Sequence, residues 1–229
     1  MTTASSTSSS LPYHETYKHQ EHWRNNEDEF EGAKLGVWLF LSTEILLFSG
    51  MFCGFAILRM FYLEHFTEAS AHYLSWKIGA FNTAVLLISS FTVAMSVRAA
   101  QLNKQGQLMI NLLISALCGI IFLVVKIVWE YMPKIAAGKL PGENFSYAGY
   151  AGEFVPHASD PVFLAIYWVA TAIHGFHVLV GVVLLLWLAW RAGKRHFGPR
   201  HYTSVENVGL YWHLVDLVWI FLFPLLYLV

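Results

Sequence analysis

Charge is scarce in this chain. Asp, Glu, Lys and Arg fill 13% of its 229 positions, where a soluble domain carries roughly a quarter. So little charge cannot build a water-facing shell, which excludes an ordinary soluble domain. A net charge of −1 with no basic stripe excludes a nucleic-acid partner. Cysteine is nearly absent: Cys53 and Cys118 are the only two, and both lie in apolar runs. A disulfide framework or a Cys-rich metal site is therefore unavailable. No internal repeat is visible, which disfavours an inverted-repeat transporter.

What is abundant is apolar surface, at 56% of residues. A membrane-spanning helix needs about 20 mostly apolar residues. Five stretches meet that requirement, at 36–63, 78–100, 108–131, 162–190 and 208–229. They are continuous rather than alternating, so they read as helices and not as strands of a barrel. The expected fold is an all-α bundle of five transmembrane helices occupying residues 34–229.

Residues 1–33 differ in character. The first ten are almost all Ser, Thr and Ala, and an acidic cluster follows at Glu27, Asp28, Glu29 and Glu31. Such a composition buries too little to order itself, so a disordered or extended tail is expected. It lacks the basic start and apolar run of a signal peptide. Lys18, Arg24, Lys34, Arg98, Lys104, Arg191, Lys194, Arg195 and Arg200 share one side of the five-span topology. Arg59, Lys77, Lys134 and Lys139 fall on the other. The positive-inside rule then puts the N-terminus in the cytoplasm and the C-terminus outside.

Ionisable groups inside a bilayer are costly and point to function by default. Glu44 lies roughly 15 Å into the first span, with no basic residue within two helical turns. It is a candidate buried, protonatable carboxyl; the structural alternative is an interhelical hydrogen bond, with neighbours such as Ser42 or Thr43. His174 and His177, three apart in the fourth span, share a helix face. Interhelical hydrogen bonding is the main expectation for them, because one HxxH without a third ligand is weak evidence for metal or haem. His213 and Asp216 in the fifth span have the same spacing and are expected to pair. Asn82 and Thr83 read as glue between helices. Lys126 and Glu130, four apart near the end of the third span, read as a self-neutralising surface pair. Gly50 and Gly54 form a GxxxG step that permits close helix approach. The tryptophans mostly fall toward span ends, as an interfacial belt. No catalytic constellation, phosphate loop or metal-ligand cluster is present in this polar set.

Four segments, in order, carry a resemblance to subunit III of the haem–copper respiratory oxidases. They are the run from Lys34 to Glu44, Phe81-Asn82-Thr83, the run from Thr171 through His174 and His177 to Gly181, and Tyr211-Trp212-His213-Leu-Val-Asp216-Leu-Val-Trp219. The resemblance covers about residues 34–229. It implies a non-catalytic subunit that binds no haem or copper itself and packs on subunit I, with subunit II nearby. Haem and copper are implied in those partners, in a complex that reduces oxygen to water. The resemblance also implies bound phospholipid in a cleft, and support for proton uptake and oxygen access. Glu44 matches the family's carbodiimide-reactive carboxyl. Many members carry a two-helix unit ahead of this span; here a polar tail stands in its place, as in five-span bacterial forms, so the expected location is the bacterial plasma membrane. Cytochrome c is the expected electron donor, with quinol the alternative. From other classes, a small proton-coupled transporter using Glu44 and the His174/His177 face, or a di-haem cytochrome, would also place polar groups here.

Overall fold

The computed structural model describes residues 23–141, 145–146, 157–199 and 201–228. Lys18, Arg200, the first 22 residues of the tail and much of the connection after the third span lie outside the described residues. Five helices are long and apolar enough to cross a membrane, and among the described residues there is no strand. The chain is a multi-pass, all-helical membrane protein.

The first span is α1, Asn26–Phe61. It starts inside the stretch expected to be tail. The Asn25 side chain accepts from the Asp28 backbone N–H at 2.7 Å and so caps the helix, and Glu27, Asp28 and Glu29 suit its positive N-terminal end. The acidic cluster is thus the first turns of a helix. A short helix that apolar runs did not reveal, α2 (Leu63–Tyr73), follows. Its sequence is polar overall, but Phe66, Ala69 and Ser70 are buried. Ser70 Oγ ties it to the chain end by donating to the Leu226 carbonyl at 2.7 Å.

The second span is α3, Trp76–Gln101. The third is α4, Gln105–Val125, continued by a π turn at Lys126–Tyr131 and the short α5, Met132–Ala136. The fourth is α6, Asp160–Gly193, and the fifth is α7, Thr203–Tyr227. Helices α3, α4, α6 and α7 pack on one another as a four-helix unit, and α1 lies mainly against α7. Along α1 the buried residues are Leu41, Phe48 and Phe55. That spacing of seven gives a narrow seam of coiled-coil type, and Leu35, Leu39, Leu46 and Met60 are left exposed.

Trp212 is a knob of the four-helix unit. A Cβ added at Gly119 would stand 2.8 Å from its ring, and one at Gly181 would stand 2.6 Å from it. Two helices can enclose the indole only because both positions lack a side chain. Trp219 is also fully buried, so these two tryptophans belong to the core and not to an interfacial belt. The GxxxG step behaves in the opposite way. A Cβ at Gly50 or Gly54 would meet nothing among the described residues, so none of the described helices approaches there.

Candidate functional site

Two polar nodes bring together side chains that are distant in sequence. The first joins α1 to α6. Glu44 lies three residues after Leu41 and so falls on the α1 seam, where Oε2 meets His177 Nε2 at 2.9 Å. His177 Nδ1 lies 2.8 Å from the Ile173 carbonyl oxygen. A carbonyl only accepts, so Nδ1 carries a hydrogen. The contact at Nε2 then holds one proton, either on Glu44 donating to a neutral imidazole or on Nε2 donating to a carboxylate. Both side chains are mostly shielded, at 15% and 13% exposure. The Phe48 ring packs edge-on to the imidazole at 5.3 Å, and Tyr211 donates to the His177 carbonyl at 3.1 Å. Ser42 and Thr43 do not serve Glu44. Each hydroxyl donates back to its own helix, to the carbonyls of Trp38 and Phe40.

The second node lies at the far end of the third span. Lys126 and Glu130 are not a surface pair: they are 3% and 2% exposed. Glu130 Oε2 accepts from Lys126 Nζ and, at 2.6 Å each, from the hydroxyls of Tyr167 and Tyr227. Lys126 also donates to the Tyr227 hydroxyl and lies 4.9 Å from the centre of the Trp219 ring. A desolvated ammonium is favoured over such a ring. Both residues sit in the π turn, a rare geometry that often marks functional segments. In it the Met132 N–H reaches back five residues to the Ile127 carbonyl, and the proline that follows at 133 has no N–H to offer the Trp129 carbonyl.

The remaining polar residues of the spans divide between bonded and unbonded. Thr83 Oγ1 accepts from Trp219 Nε1 at 3.0 Å and so links α3 to α7. Asn82 is fully buried, yet neither side-chain polar atom has a hydrogen-bond partner among the described residues. His174 is likewise fully buried, with no hydrogen bond at either ring nitrogen among the described residues. It is packed between Phe122 at 5.5 Å and Trp219 at 5.2 Å. Interhelical hydrogen bonding therefore describes His177 but not His174, because the two rings turn to different neighbours. Among the described residues no three His, Cys, Asp or Glu side chains form a metal-binding group. His213 does not pair with Asp216 among the described residues: its Nδ1 is 2.7 Å from Ser90 Oγ, while Asp216 is buried with no hydrogen-bond partner at Oδ1 among the described residues.

Ser90, Tyr167 and Tyr227 escaped the reading of the sequence. The two tyrosines had a usable signal, since a phenol buried in a span needs a partner for its hydroxyl. Ser90 had none.

The model of a family described as Cytochrome c oxidase subunit III matches residues 142–229. A cytochrome c oxidase subunit 3 from Thermostichus vulcanus is 30% identical over 195 residues, covering 85% of this chain and 86% of that relative. Its counterparts from Mammuthus primigenius and Drosophila melanogaster are each 28% identical and cover 86% of this chain and 69% of their own length.

Proposed function

Because the chain belongs to the cytochrome c oxidase subunit III family, we propose that it is the non-catalytic accessory subunit of a proton-pumping terminal oxidase in a bacterial plasma membrane. In this reading it packs on the haem- and copper-bearing subunits I and II. The electron donor is cytochrome c, as the names of the relatives suggest. The N-terminus lies in the cytoplasm, supported by the one-sided distribution of Lys and Arg.

The observation that carries the reading is the Glu44–His177 contact on the seam of α1. One shared proton at a shielded carboxyl–imidazole pair is a proton-holding station, and it suits a subunit that sustains proton supply to a catalytic neighbour. No metal or haem is assigned to this chain; the redox chemistry belongs to its partners.

The test is purification of the tagged chain in mild detergent. It is expected to bring down a haem-bearing subunit, and the chain separated from that partner is expected to show no haem absorbance. A haem band stoichiometric with the isolated chain would overturn the reading.

A further inference from the structure

The fifth span turns a polar atom toward the outside of the chain in mid-membrane. His213 lies roughly 15 Å from the start of α7. Its Nδ1 meets Ser90 Oγ at 2.7 Å, but the ring is only partly covered. Nε2 has no hydrogen-bond partner among the described residues and, unlike the ring nitrogens of His174, is not enclosed. Around it the face is apolar. Leu217 and Ile220 are exposed, and spacings of four and seven keep both on the His213 side of α7. Leu87, three residues before Ser90 on α3, is exposed as well. The third span is different. Helices α3 and α6 each pack on both α4 and α7, so α4 and α7 stand at opposite corners of the four-helix unit. At the same depth on α4 the exposed side chains are Leu113, Ile114 and Leu117, which lipid tails match.

We propose that the outer face of α7 and the adjoining edge of α3, centred on His213, is where a transmembrane helix of the haem-bearing partner packs, and that this helix sets a hydrogen-bonding side chain opposite Nε2. The inference rests on the accessory-subunit reading and adds the surface through which that role acts. A polar nitrogen facing hydrocarbon without a partner is costly, and ionisable side chains within spans almost always face protein or water. The first span does not meet the need. Its carboxyl at Glu44 is engaged by His177 on α6, and the hydroxyls of Ser42 and Thr43 bond their own helix. Lipid tails offer no hydrogen bond at all. A polar side chain on a neighbouring span does, and such bonds join helices in membranes. Leu217, Ile220 and Leu87 then form the apolar rim that packs around the bond and keeps lipid out. The chemistry selects a helix with one polar side chain at this depth over an all-aliphatic one.

The test isolates the tagged full chain in its assembly in mild detergent and reads the haem absorbance retained per chain. The wild type comes first: if it retains no haem-bearing partner, the accessory-subunit reading fails and this inference with it. If it does retain one, three variants separate the faces. His213→Leu removes the outward nitrogen, and the freed Ser90 hydroxyl can turn to the Leu86 carbonyl of its own helix. Leu217→Trp adds bulk from an exposed position. Each is expected to lower retention about tenfold, the scale of one lost hydrogen bond. Leu117→Trp, on α4, is expected to leave retention unchanged. Unchanged retention in either of the first two variants, or an equal loss with Leu117→Trp, would overturn the proposal while leaving the accessory role standing. Should the variants fail to fold, a photoactivatable benzophenone residue at position 217 or 117 decides. A crosslink from 217 to the haem-bearing partner with none from 117 supports the surface. No crosslink from 217, one to a second copy of this chain, or an equal crosslink from 117 overturns it.

Discussion

His177 Nε2 and Glu44 Oε2 are 2.9 Å apart although 133 positions separate them in the chain. The Ile173 carbonyl fixes the hydrogen on the other ring nitrogen, so this contact contains a single proton. A Gln at position 44 can donate an amide N–H to Nε2 and keep the geometry. Glu44→Gln is therefore expected to leave assembly intact while removing the titratable proton, giving a modest loss of turnover stability in oxygen-uptake assays. If Glu44→Gln prevents association with the partner subunits, the role of the carboxyl is structural.

Removal of His177 should act differently. His177→Phe leaves Glu44 on the α1 seam with no donor or acceptor. A stability loss of about 1–3 kcal/mol is expected from the unpaired buried group, read as a lower thermal midpoint in detergent. An unchanged midpoint would show that Glu44 is solvated without its partner.

At the second node, Lys126→Met strands a carboxylate that is 2% exposed and should cost about 3–5 kcal/mol. The pair Lys126→Met with Glu130→Gln should recover most of that loss. A Gln carbonyl still accepts from Tyr167 and Tyr227, and no charge remains buried. The check is a double-mutant cycle on thermal unfolding, and additive effects would contradict a coupled pair.

The glycines give a paired contrast. Gly181→Ala gains about 1 kcal/mol of helix propensity, but its Cβ would stand 2.6 Å from the Trp212 ring. Overpacking of about 1–3 kcal/mol is expected to dominate and lower the midpoint. Gly54→Ala meets nothing and should hold or raise it. Reversal of the two signs would refute the Trp212 packing.

Lys34, two turns into α1, meets Glu206 in the first turn of α7 at 2.6 Å, with side chains 36% and 22% exposed. Screening limits such a pair to about 1 kcal/mol or less. Lys34→Ala should shift the midpoint little, and less still in high salt.

The five spans were legible because each is an apolar run long enough to cross a bilayer, whatever its neighbours do. The short helix Leu63–Tyr73 was not, because only Phe66, Ala69 and Ser70 face inward and its average is polar. Lys126 and Glu130 were recognisable as a pair from their spacing. Their burial was not, since Tyr167, Trp219 and Tyr227 reach them from other helices. His213 and Asp216 show the same limit: spacing places two residues on one face, but Ser90 from the second span takes the His213 ring. Glu44 was visible as a lone carboxyl in hydrocarbon, and its partner became visible only once α1 and α6 were brought together.

The measurement that tests the central claim most directly is an oxygen-uptake trace of the purified oxidase with this chain present and with it removed. The account predicts the same initial rate in both, followed by faster decline without the chain, as the proposed accessory role requires. An initial rate abolished by removal of the chain, or a decline identical in the two preparations, would contradict it.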